Sequence, residues 1–229
     1  MLRRTIRLGA LVLFVLLEAV LGLLLQITSG VSVTVCSYCS VLLACLFCAT
    51  FCERSWRYAL TQAALLCTVG ADWFLVVTDP REQLPAMLFF SAAQLCYAAR
   101  LILPQSPSVR RVHLWIRSLL SAFSCLLTVF VLGDKCDAVA LISMFYYANL
   151  LLNIVYAFLA GRRERLFAVG LLLFVLCDTL IGISCLDAYF TIPADSFLYQ
   201  IIHPGFDLAW AFYVPSQTLI AASLFGETS

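Results

Sequence analysis

The chain has 229 residues, 63% of them apolar and 12% charged, with a mean hydropathy of +1.01. An ordinary soluble domain is nearer half apolar and a quarter charged, so this composition excludes a water-soluble globule, a disordered chain, a collagen repeat and a disulfide scaffold. At roughly 20 apolar residues per crossing the chain is predicted to be an all-α polytopic membrane protein, a bundle of about eight transmembrane helices in a single integral membrane domain over residues 1–229; no nucleic-acid partner is expected, and the net charge of +1 conceals a strong asymmetry along the chain.

In chain order, Arg3, Arg4 and Arg7 precede an apolar run from Leu8 to Leu25. That run is too long for the core of a signal peptide, carries Glu18 in its middle, and ends in Gln26-Ile27-Thr28-Ser29-Gly30 without a small-x-small cleavage site, so it is read as the first span. Further spans are predicted at Val31 to Cys52, Trp56 to Val77, Leu84 to Leu103, His113 to Leu132, Val139 to Leu159, Leu166 to Cys185 and Asp207 to Phe225. The longest connection, Leu186 to Gly205, contains the apolar-polar stretch Ser196 to Ile202, which is predicted as a short interfacial helix. Trp56, Trp73, Trp115 and Trp210 fall near span ends, where amphipathic rings anchor at the interface.

Cys36, Cys39, Cys45, Cys48, Cys67, Cys96, Cys125 and Cys177 lie inside apolar runs, where a thiol behaves as a small apolar residue. The Cys36-x-x-Cys39 and Cys45-x-x-Cys48 spacings lack a second ligand pair, so no metal site is expected.

The connections alternate in charge. If the N-terminus is cytoplasmic, that side holds Arg3, Arg4, Arg7, Arg54, Arg57, Arg100, Arg110, Arg111, Arg117, Arg162, Arg163 and Arg165, twelve of the fourteen basic residues, with Arg81 and Lys135 opposite. Positive residues resist translocation, which predicts both termini inside and an even number of spans.

Glu18, Asp72, Gln94, Asn149, Asn153, Asp178 and Gln217 lie within spans, and Asp207 lies at the outer lip of the last. A carboxylate at a helix centre costs about 2.5 to 3.5 kcal/mol on insertion scales and usually faces a bundle interior or a cavity. At 1.5 Å per residue, Asp72 lies roughly 24 Å from Trp56 and Asp178 roughly 18 Å from Leu166, both in the outer half, while Gln94 and Asn149 fall near mid-membrane. Tyr146, Asn149 and Asn153 share one helical face, Gln94 lies three residues before Tyr97, and Asp207, Tyr213 and Gln217 descend the last span as one stripe. Together they predict a polar cavity opening outward. Glu18 is read as having a structural or lipid-packing role, and Pro215 removes a backbone donor within the last span.

At these positions the chain resembles the YhhN family of membrane proteins, whose animal members are lysoplasmalogenases. Ala71-Asp72-Trp73-Phe74-Leu75 resembles the family's Gly/Ala-Asp-x-x-Leu motif. Phe90 through Tyr97 resembles its Phe-x-x-x-His-x-x-Tyr segment, with Gln94 in the histidine's place, a change that suggests a divergent, bacterial-type member. Gly170 through Asp178 resembles Gly-x-x-x-Phe-x-x-Ser/Cys-Asp, and Tyr213 with Gln217 resembles the Tyr-x-x-x-Gln pattern of the final span. Order and spacing agree over residues 56 to 225.

The resemblance implies a membrane-embedded hydrolase that cleaves the vinyl ether bond of a lysoplasmalogen, in a bacterial cytoplasmic membrane. Such a bond is hydrolysed through protonation at carbon, giving an oxocarbenium-like cation that water captures, so the site needs one protonated acid and one negative charge. Two carboxyls in different surroundings supply both. Asp178 is assigned as the general acid and Asp72 as the stabilising carboxylate, an order that the sequence also allows to be reversed. Gln94, Tyr97, Asn149, Asn153, Asp207, Tyr213 and Gln217 are expected to hold water and the head group of a membrane lipid substrate. No cofactor is required. The alternative is a non-enzymatic protein whose outward polar cavity binds or transports a lipid or small solute.

Overall fold

The computed structural model describes residues 2–78, 81–190, 193, 196, 197, 199 and 208–225. Its helices are α1 (Leu2–Ile27), α2 (Val31–Phe51), α3 (Trp56–Asp72), α4 (Gln83–Ile102), α5 (Pro107–Leu132), α6 (Ala138–Leu159), α7 (Arg165–Ser184) and α8 (Leu208–Ala222), and no strand occurs among the described residues. Seven helical segments are long and apolar enough to cross a membrane, and α8 follows with 15 described residues. The fold is that of an all-helical integral membrane protein. Asp207 and most of the Ser196 to Ile202 stretch, on which an outer-lip carboxylate and an interfacial helix were expected, lie outside the described residues.

Helices α3, α5 and α6 start where short polar side chains satisfy one of their first amides. Ser55 accepts from Tyr58 N at 3.1 Å, and Asp137 from Ala140 N at 2.7 Å. Helix α5 begins six residues before the expected His113, because Ser106 caps Val109 and Pro107 occupies the first turn. Between α1 and α2 the chain reverses at Gly30, whose φ of +64° suits a residue without a Cβ.

Packing closes seven helices into a ring in the order α1, α2, α3, α4, α6, α7, α8 and back to α1, with α5 outside it against α6. Helices α7 and α8 approach each other closely at Gly170. A Cβ placed on Gly170 would lie 3.1 Å from Ile220 N and 3.2 Å from Ser216 O, so glycine there lets the two backbones meet. Glu18 of α1 is buried and accepts from Ser40 Oγ of α2 at 2.6 Å, which fits its expected structural role.

At one end of the bundle Glu164, in the turn before α7, pairs with Arg57 of α3 at 2.7 Å and with Arg100 of α4 at 2.8 Å. Arg100 also donates to Thr61 Oγ1 of α3 and Ser223 Oγ after α8, and its guanidinium lies 4.1 Å from the Phe167 ring centroid of α7. Arg100 and Glu164 are 1% and 2% exposed, so these charges form an internal clamp rather than a membrane-surface fringe.

Candidate functional site

The opposite end carries the two aspartates. Asp72 is the last residue of α3, and there the helix widens into a π-helical turn, Trp73–Val77, closed by Thr78 N donating to Trp73 O at 3.0 Å. Such turns insert extra backbone into a helix and recur at functional sites. Asp72 accepts a hydrogen bond from the Tyr213 hydroxyl of α8, and Asp178 of α7 accepts one from the Tyr146 hydroxyl of α6. Helices α3, α6, α7 and α8 therefore each contribute one polar group to the pair.

An aromatic chain supports this arrangement. Phe90 of α4 packs on Tyr146 at 5.7 Å and on Phe174 of α7 at 5.9 Å, and Phe174 packs edge-on to Tyr213 at 5.9 Å. The rings link the tyrosine that holds one aspartate to the tyrosine that holds the other. Trp210, expected as an interface anchor, also packs edge-on to Tyr213 at 5.6 Å.

Helical rise made Asp178 the deeper carboxyl, but the structure leaves it half-buried while Asp72 is 5% exposed. The reason is lateral: rise along one helix measures depth, whereas exposure depends on which neighbours cover the side chain.

The polar groups between the carboxyl end and the arginine clamp divide into two sets. Gln94, Tyr97 and Gln217 are fully buried, and Gln94 Nε2, the Tyr97 hydroxyl and both amide atoms of Gln217 have no hydrogen-bond partner. Ser91 Oγ and Ser216 Oγ share that condition. Buried polar atoms left unpaired cost free energy, so a cluster of them is a place for water or a polar ligand. These groups are packed inside the bundle rather than lining an open mouth.

Asn149 and Asn153 belong to the second set. Their Oδ1 atoms accept from Arg117 of α5 at 2.6 and 2.8 Å, and Asn149 Nδ2 donates to Ser121 Oγ and to Phe145 O. Asn153 Nδ2 donates to Gln94 O at 2.9 Å and Gln94 Oε1 at 3.0 Å. The two asparagines hold a buried guanidinium, and Asn153 reaches the unpartnered cluster through Gln94. Sequence reasoning placed Arg117 among the cytoplasmic positive charges. The signal it missed was an arginine ten residues inside a helix whose flanks are apolar on both sides. Tyr146, on the same helical face as Asn149 and Asn153, bonds Asp178 only because α6 and α7 are neighbours.

Cavities of about 130 Å³ and about 340 Å³ open at the two ends, the first beside Arg57, Arg100, Arg163 and Glu164, the second beside Asp134, Lys135 and Tyr189. Lys135 Nζ donates to Tyr189 O at 2.6 Å and the Tyr189 hydroxyl to Asp137 Oδ1 at 3.0 Å, so this second cavity sits at a clasp between the α5–α6 and α7–α8 connections.

Among comparisons with known proteins, the YhhN family model matches residues 52–224, most of the chain and all four of the helices that carry the aspartates and their tyrosines. No curated protein and no solved structure matches.

Proposed function

The chain belongs to the YhhN family, and from that premise we propose that it is a membrane-embedded hydrolase of lysoplasmalogen type, acting on the vinyl ether bond of a lysophospholipid. The observation that carries the reading is that two aspartates toward the same end of one ring are each held by a tyrosine hydroxyl from another helix, with the two tyrosines joined by an aromatic chain.

The chemistry needs a proton donor and a negative charge in one water-poor place. Two adjacent carboxyls resist ionising together, so sharing one proton supplies both. Asp178, the less buried, donates its proton to the vinyl carbon remote from the ether oxygen. The charge that develops on the carbon bearing that oxygen is stabilised by the Asp72 carboxylate, which also takes a proton from the water that adds there. The resulting hemiacetal collapses to a fatty aldehyde and a glycerophospho alcohol. Water has been consumed, and moving one proton from Asp72 to Asp178 restores the starting pair.

Gln94, Tyr97 and Gln217, with their unpartnered polar atoms, and Tyr213 would hold the head group and water, and the hydrocarbon chain would lie between helices toward lipid. Orientation follows the charge distribution, with the arginine clamp toward the cytoplasm and the carboxyl pair toward the opposite face.

Hydrolysis in deuterium oxide tests the proton step. The proposed route places one deuterium on the aldehyde carbon next to the carbonyl. Aldehyde without that label would exclude protonation at carbon. A second reading, lipid or small-solute binding without turnover, draws on the same unpartnered groups at Gln94, Tyr97 and Gln217, and is distinguished by saturable binding with no product.

A further inference from the structure

Arg117 is 6% exposed, its Nε has no partner, and no carboxylate pairs with it among the described residues. A guanidinium buried in an apolar bundle without a counter-charge is costly, and such groups usually mark a functional site. What Arg117 does to its neighbours follows from which atoms can donate.

A guanidinium has donors alone. Facing Arg117, Asn153 must therefore present Oδ1, as it does at 2.8 Å. Its Nδ2 then turns to α4, where it meets the Gln94 main-chain carbonyl at 2.9 Å, an atom that can only accept. Both ends of the Asn153 amide are thus fixed by partners of unambiguous sense. The same Nδ2 lies 3.0 Å from the Gln94 side chain, which must present Oε1 to it. Gln94 is left with Nε2 directed elsewhere, fully buried and unpartnered.

We infer that Arg117 is a positioning residue which, through Asn153, sets the amide of Gln94 so that it donates a hydrogen bond to a glycerophosphate oxygen of the bound lipid. The inference rests on the lysophospholipid reading above for its ligand, but not on which bond is cleaved. The uncompensated charge of Arg117 favours an anionic group nearby in a low-dielectric interior, and the orientation of Gln94 requires an acceptor. A phosphodiester meets both requirements, whereas a neutral acylglycerol lacks the charge.

The test is binding of an ester-linked lysophosphatidylethanolamine, which offers no vinyl ether, to the detergent-purified full chain, with a monoacylglycerol of the same acyl chain as the uncharged comparison. Asn153→Asp still accepts from Arg117 but cannot donate to Gln94, and Gln94→Glu replaces the donor with an acceptor in the same volume. Each variant is expected to weaken binding of the lysophospholipid at least tenfold, while the monoacylglycerol binds weakly and alike to all three proteins. Arg117→Lys, which keeps the charge but offers one nitrogen in place of a fork, is expected to fall between wild type and these variants. If Asn153→Asp fails to fold, Gln94→Glu decides the matter. Wild-type affinity in a folded Gln94→Glu variant would overturn the inference, as would a wild type that binds no lysophosphatidylethanolamine. Binding that follows the expected order without aldehyde release from a vinyl ether substrate would leave this inference standing and remove the proposed reaction.

Discussion

Tyr213 of α8 donates its hydroxyl to the Asp72 carboxylate of α3, although α1 and α2 lie between those helices on one side of the ring and α4, α6 and α7 on the other. With the Tyr146 to Asp178 bond, this contact means that neither carboxyl is held by its own helix. The pair is a product of tertiary packing and is set by the same contacts that close the bundle.

Tyr213→Phe and Tyr146→Phe remove those donors without changing ring volume. A hydrogen bond to a charged group contributes about 1.5 to 3 kcal/mol, so each change is expected to lower aldehyde release about ten- to hundredfold by the relation between barrier and rate. Steady-state rates, alongside circular dichroism of the purified variants, check this. Unchanged rates would separate the tyrosines from the chemistry.

Gly170→Ala addresses the same architecture from behind. Its methyl group meets the α8 backbone at Ile220 N and Ser216 O, and overpacking of this kind costs about 1 to 3 kcal/mol. A lower thermal midpoint is expected together with weaker activity, because α8 carries both Tyr213 and Gln217. An unaltered midpoint would show that α8 can shift freely.

At the opposite end, Glu164→Gln leaves the Arg57 and Arg100 guanidiniums without their carboxylate. Breaking a buried pair by removing one partner destabilises by about 3 to 5 kcal/mol, and thermal unfolding in detergent should report it. This variant is expected to affect stability first, since the clamp and the aspartates sit at opposite ends of α3 and α7.

The Tyr189 clasp gives a pH signature. Partial burial, followed by its bond to Asp137 and that carboxylate's charge, pushes the phenol up to about 12. Because the folded value lies above the ordinary one near 10, the clasp's contribution is complete below about pH 10 and is lost as pH rises toward 12. Absorbance titration of wild type against Tyr189→Phe should place the missing phenol at the upper end of that window. A missing step near the ordinary value would show that the clasp is open in solution.

Much of the architecture was legible in the sequence, because apolar runs of 18 to 22 residues leave few alternatives to spans. Charges inside those runs were harder. Asp72 and Asp178 stood out as carboxyls in apolar surroundings, yet Arg100 and Arg117 were counted with the surface arginines because they lie near span starts and ends. Their burial depends on Glu164, Asn149 and Asn153 arriving from other helices. The ring order that brings them together is not a property of any one span. For the same reason Asn149 and Asn153 read as cavity-lining amides and are found supporting a guanidinium, whereas Gln94, Tyr97 and Gln217 are buried with polar atoms unpaired.

The central claim is that Asp72 and Asp178 act as one acid–base unit. Its most direct measurement is aldehyde release from a lysoplasmalogen by the detergent-purified protein, with Asp72→Asn, Asp178→Asn and the double variant compared under matched folding checks. Proton transfer by a positioned group is worth about 10²- to 10⁴-fold, and groups acting as a unit are non-additive. Each single variant should therefore lose activity by that order, with the double variant little worse than either. A folded single variant that retains wild-type release, or a folded wild type that releases no aldehyde, would contradict it.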